Sequence, residues 1–92
     1  MFYYANSAPT NEIAIDQLSL ALGKRIREKR KGHGVSQDTL ALSCGLDRSY
    51  LGRIERGEVN VSIEKLYRIA LTLGCQPAEF LPPLALFVST NY

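Results

Sequence analysis

Histidine occurs once in the 92 residues, at His33, and cysteine twice, at Cys44 and Cys75. A single histidine between two glycines, with no cysteine or carboxylate at metal-ligand spacing, offers no metal site and reads as an exposed loop residue. The two cysteines form at most one pair, and no basic-then-apolar leader opens the chain. A disulfide framework is therefore not expected, and both thiols read as reduced packing residues of a cytoplasmic protein. Long apolar runs are missing too: the longest, 1–5 and 84–88, reach five residues each, far below the roughly 18 that a membrane helix needs. No membrane role is expected. Nucleophile–base pairs, carboxylate pairs and phosphate-cradling glycine loops are absent from the pattern, so the expectation is no enzyme and no cofactor. Internal repeats are absent, and no segment alternates like a strand except the tail at 84–89.

What is present suits one domain. A chain of this length buries only about 60 to 65% of its unfolded surface, but 46% apolar and 22% charged residues are ordinary globular values. The net charge of +2 conceals an uneven distribution. Residues 1–23 carry two acids and no base; residues 24–56 carry nine bases against four acids, a net of +5; residues 57–92 carry two bases against three acids. A basic middle third fits both a polyanion-binding face and a solvated helix surface.

The hydrophobic pattern predicts an all-α chain of five helices. Leu18, Leu22 and Ile26 recur every fourth position within 16–31, and Gly32 and Gly34 end that first helix. Ser36 caps a short second helix with Leu40, Ala41 and Cys44 inward, and Gly45 closes it. Asp47 caps a third that runs to Arg56, stopped by Gly57. Ser62 caps a fourth with Ile63, Leu66, Ile69, Ala70 and Leu73 inward, ended by Gly74. Pro77 starts a short fifth containing Ala78, Phe80 and Leu81, which Pro82 and Pro83 cannot prolong. The expected organisation is an N-terminal arm at 1–15, a helical domain at 16–81, and a tail at 82–92.

The second and third helices are joined by Cys44-Gly45-Leu46-Asp47, the spacing of a helix-turn-helix. On the third helix, Arg48, Gly52, Arg56, Ser49 and Arg53 fall within an arc of roughly 140°, with Tyr50, Ile54 and Leu51 on the opposite side. The arc contains no acid, with Glu55 just outside its edge, and Gly52 removes bulk where a helix would enter a groove.

Val35-Ser36-Gln37, Leu40-Ala41, Gly45-Leu46, Ile54-Glu55-Arg56-Gly57 and Ser62, taken in order, resemble the helix-turn-helix of phage repressor and Cro-type (XRE-like) regulators. The resemblance covers roughly residues 22–81. It implies a compact five-helix, lambda-repressor-like domain: a sequence-specific, DNA-binding transcriptional regulator, commonly a homodimer on a double-stranded operator with an inverted repeat. The third helix would enter the major groove. Arg48, Ser49, Tyr50 and Arg53 would read bases, while Gln37, Arg56 and Ser62 would meet the backbone. Arg48 stands where glutamine is often found in the family, which suggests guanine rather than adenine as its target. Tyr50 borders the apolar side, so its ring can pack while its hydroxyl reaches a phosphate. Arg30 and Glu55 occupy positions that in the family often pair between the first and third helices; two separate solvated side chains are the alternative. Asp47-Arg48-Ser49-Tyr50 and the short length also resemble the controller proteins of restriction-modification systems. The competing function is that of an antitoxin, which binds a partner protein and represses its own operon. Phe2, Tyr3, Tyr4 and the tail 84–88 exceed what the core needs and must be covered, most simply in a homodimer, alternatively by a protein partner.

Overall fold

A computed structural model describes residues 17–87. In chain order it contains α1 (Leu18–Gly32), α2 (Gln37–Cys44), α3 (Arg48–Glu55) and α4 (Ile63–Leu73), followed by 3-10 turns at Pro77–Phe80 and Leu84–Phe87. Three helices begin on the expected caps. The Ser36 hydroxyl accepts from the Thr39 N–H at 3.1 Å, the Asp47 carboxylate from Tyr50 at 3.3 Å, and the Ser62 hydroxyl from Lys65 at 3.2 Å. Each satisfies one backbone donor that a helix start leaves free. Between α2 and α3, Gly45 adopts φ 72°, and the Leu46 N–H returns to the Ala41 carbonyl at 2.9 Å. That left-handed residue reverses the chain in the space a helix-turn-helix allows.

The fifth helical segment is a single 3-10 turn. Its last N–H, from Leu81, reaches Ala78 three residues back at 3.1 Å, because Pro82 and Pro83 leave no room for an α-helical turn. Phe80 is its only buried side chain; Ala78 and Leu81 are exposed. Ile63, expected inward, is 69% exposed: it opens α4 on the side away from Leu66, Ile69, Ala70 and Leu73, which are buried. The segment 84–87 coils into a 3-10 turn rather than a strand. Phe87 is buried and, with Leu86, borders a cleft also lined by Gln17, Leu20, Ala21 and Lys24. The expected arm at 1–15 and the end of the tail lie outside the described residues.

The four α-helices and the Pro77–Phe80 turn contribute to one core. Ile26 from α1, Leu40 from α2, Leu51 and Ile54 from α3, Ile69 from α4 and Phe80 are its largest fully buried side chains. Each is worth about 1.5 to 3 kcal/mol of transfer free energy. At the crossing of α1 and α3, a Cβ on Gly23 would stand 2.2 Å from the Ile54 carbonyl oxygen and 2.8 Å from that of Glu55. Only glycine lets the two backbones touch there. No helix among the described residues is long and apolar enough to cross a membrane.

Gly23→Ala should therefore lower stability by about 1 to 3 kcal/mol, since neither backbone can yield cheaply. Gly32→Ala meets nothing within 4 Å and should be neutral or stabilising by up to about 1 kcal/mol. Urea melts of the two variants test this contrast.

Candidate nucleic-acid interface

The geometry of α3 is set from behind by a polar clasp. Arg30, near the end of α1, donates from Nε to Glu55 Oε2 at 2.6 Å and from Nη2 to Glu55 Oε1 at 2.9 Å. Its third nitrogen, Nη1, donates to the Val35 carbonyl at 2.9 Å, and the Val35 N–H bonds back to the Arg30 carbonyl at 3.2 Å. Gln37, the first residue of α2, completes the group by donating from Nε2 to Glu55 Oε1 at 2.8 Å. The side chains of Arg30 and Glu55 are 9% and 1% exposed. Such burial is tolerated because the pair is bidentate and each partner makes a further hydrogen bond, Arg30 to the Val35 carbonyl and Glu55 from Gln37. The hydrogen bond to Glu55 raises the Arg30 pKa further above its ordinary value, against the effect of burial. Three helices thus meet at one carboxylate at the C-terminal end of α3.

On the outer side of α3, Arg48, Ser49, Gly52, Arg53 and Arg56 line a single open groove of about 290 Å³, joined by Gln37 from α2. These are the five residues of the arc with one of the expected backbone-contacting residues beside them. Tyr50 and Ser62 are not among the groove-lining side chains. Tyr50 is half-buried against the core with the Lys65 ammonium 5.7 Å from its ring centre, within cation–π range. Ser62 has its hydroxyl engaged as the α4 cap. Gln37 is tethered to Glu55 and so positions the groove wall before it can meet a phosphate. Gly52 is covered rather than open: a Cβ there would lie 3.1 Å from Arg56 Nη1 and 3.6 Å from Gln37 Oε1. Its missing side chain makes room for the Arg56 guanidinium.

The arginine face is not free of acids in space. Glu58 accepts from Arg56 Nε at 2.7 Å and Nη2 at 3.3 Å, and lies 3.9 Å from Arg53 Nε. Arg56 holds the Glu58 carboxyl below its usual pKa, and Glu58 in turn raises that of Arg56. Asp38 of α2 pairs with Arg48. A signal for Glu58 was present, since it stands two residues past Arg56 across the turn at Gly57, which has φ 75°. Asp38 carried none, because its partner is on another helix. Elsewhere, His33 is exposed at the end of α1. Cys44 is a buried free thiol that burial pushes up in pKa, and Cys75 is also free.

A family model described as a helix-turn-helix, HTH_3, matches residues 26–80, more than half of the chain. The chain belongs to the HTH_3 family of DNA-binding helix-turn-helix regulators. The control protein C.BamHI of Bacillus amyloliquefaciens is 37% identical over 67 residues, which span 72% of this chain and 83% of that protein. The crystal structure of the restriction-modification controller protein C.AhdI from Aeromonas hydrophila superposes with a TM-score of 0.67 at 44% identity, covering 68% of this chain and 96% of that one. SinR, a master regulator for biofilm formation solved in complex with DNA, superposes at 0.62 with 35% identity, covering 64% of this chain and 95% of its own. In this HTH_3 chain α2 and α3 form the helix-turn-helix, and the matched segment includes the whole clasp and the whole groove.

Glu55→Gln keeps the shape of the side chain but leaves the Arg30 charge buried without its counter-ion. Thermal and urea unfolding should show a loss of about 3 to 5 kcal/mol. A loss below about 1 kcal/mol is the value of an exposed pair and would contradict the buried geometry.

Proposed function

We propose that this chain is a cytoplasmic regulator that binds an inverted-repeat operator as a homodimer, in the manner of a restriction-modification controller. The observation that carries the reading is the groove on α3, where three arginines, Ser49 and a glycine line one surface with Gln37 at its wall. Arg48 is 71% exposed and stands at the first turn of α3, where recognition helices present side chains to base edges. A guanidinium there matches the two acceptors of guanine in the major groove. Ser49 and Arg53 lie beside it, while Arg56, at the far end of α3, is better placed for a phosphate. Tyr50 and Ser62 have partners of their own within the fold, which gives them a supporting role. The controller reading rests on the relatives named above, C.BamHI and C.AhdI.

Two copies follow from arithmetic. One recognition helix reads about four base pairs, too few to single out a site among a genome's competitors. Leu81, Leu84 and Leu86 are 48%, 60% and 60% exposed, forming apolar surface along the fifth segment and tail that a symmetric contact would cover. Phe87 is already buried within the protomer and is no longer counted toward it.

Selection from a random duplex pool should return inverted half-sites with centres about 10 to 11 base pairs apart. Arg48→Ala should relax one base pair per half-site at a cost of about 1 to 3 kcal/mol; an unchanged consensus would remove Arg48 from base reading. Sedimentation equilibrium tests the contact: Leu84→Glu with Leu86→Glu should yield a folded monomer, and an unaltered dimer mass would move the interface elsewhere.

A further inference from the structure

Asp38 stands on the first turn of α2, and its carboxylate pairs with Nε of Arg48, the first residue of α3. Both side chains are largely exposed, at 70% and 71%, so the pair adds little to stability. The backbone on either side of it is nonetheless well fixed. The Ser36 hydroxyl accepts from the Thr39 N–H at 3.1 Å, which holds the turn that carries Asp38. Gln37, the residue before Asp38, donates to Glu55 at 2.8 Å and so ties α2 to the helix that carries Arg48. Asp38 meets Nε, the guanidinium nitrogen nearest the main chain, and among the described residues Nη1 and Nη2 have no protein acceptor. Arg56 differs, because Glu58 takes its Nε and Nη2 together.

We propose that Asp38 is a positioning residue for base reading: by holding Arg48 at Nε it aims the Nη1 and Nη2 donors, the fork that matches O6 and N7 of a guanine. The proposal rests on the reading of Arg48 as a base contact. An arginine side chain has several rotatable bonds, and fixing it on a base costs conformational entropy. A fork already held by a carboxylate has lost part of that freedom before the duplex arrives. The carboxylate also blocks a side-on approach through Nε, which leaves end-on donation. Two effects of Asp38 on affinity are distinct. Its charge repels the phosphates of any duplex, and that cost is common to all sequences and cancels in a ratio of affinities. The gain from the held fork does not cancel, because it is drawn on only where guanine presents two acceptors side by side. Adenine presents an acceptor and a donor there, so the same orientation gives no second bond. Asp38 thus raises discrimination through Arg48, with no base contact of its own.

A double-mutant cycle on two duplexes tests the proposal. One duplex is the wild-type selected site, and the other is that site with the base pair relaxed by Arg48→Ala replaced. The readout is the ratio of affinities for the two. Asp38→Ala should lower the ratio about three- to tenfold, with the replaced site bound at least as tightly as by wild type. In the Arg48→Ala background the same change should not lower it. An unchanged ratio for Asp38→Ala alone overturns the proposal. An equal fall in both backgrounds also overturns it, since Asp38 would then act without Arg48. Either result leaves Arg48 as a base reader. If Arg48→Ala relaxes no base pair, the base-reading assignment itself fails and the proposal with it. A purely structural role for Asp38, as a favourable charge at the start of α2, would move both affinities together and leave the ratio where it was.

Discussion

The Glu55 carboxylate is the point on which the rest of this small domain depends. It is supplied by α3, clasped by Arg30 of α1 and bonded by Gln37 of α2. A domain of this size has a total stability of only about 5 to 10 kcal/mol. A buried bidentate pair that costs several kcal/mol when half of it is removed is therefore not a detail. Equally important is where it sits. α3 has only eight residues, too short to hold its own orientation, and two contacts fix it from the inner side: the backbone approach at Gly23 and the clasp at Glu55. Gly23 sets how closely α1 and α3 lie. Arg30 and Gln37 set the rotation with which α3 presents its outer face.

That presentation connects packing to recognition. Ile54 and Leu51 are in the core, so Arg48, Ser49, Arg53 and Arg56 are left on the surface by the helical period, with Gly52 covered beneath the Arg56 guanidinium. The same Gln37 that bonds Glu55 also walls the groove. A disturbance at the clasp would therefore reach the outer face through one side chain. Outside, the charges are exposed and cheap to rearrange, whereas inside they are buried and costly to move. The interior clasp keeps the helix still, while the surface pair to Glu58 keeps Arg56 adjustable until a better acceptor arrives.

Much of this was legible in the sequence because its signals are local. Ser36, Asp47 and Ser62 mark helix starts within three residues of the N–H groups they accept from, and Gly45 marks the turn. The arginine arc follows from spacing along one short helix. Ile63 was misplaced because a helix's first residue has no preceding turn to hold it, so its apolar character does not decide its side. The short fifth helix is a 3-10 helix because four residues bounded by prolines cannot complete an α-helical turn. Gly23 looked like any helix glycine, since the carbonyl that excludes a Cβ belongs to Ile54, far along the chain. Asp38 was missed for a similar reason, since a helical wheel of α3 contains only α3; Glu58 also lies off that wheel, although its place two residues past Arg56 was a local signal. The resemblance supplied Arg30 and Glu55 as partners, but only the fold shows that Gln37 joins them and that both charges are buried.

The claim that the clasp orients α3, beyond adding stability, is tested most directly by exchanging it for apolar residues. Arg30→Met combined with Glu55→Met should recover most of the stability lost in Glu55→Met alone, because apolar side chains of similar volume replace buried ion pairs with little net cost. Affinity for the selected DNA site should nevertheless stay down by about tenfold or more, equivalent to about 1.4 kcal/mol, because Gln37 has lost the acceptor that ties α2 to α3. A double variant that regains both its stability and its DNA affinity would contradict an orienting role for the clasp.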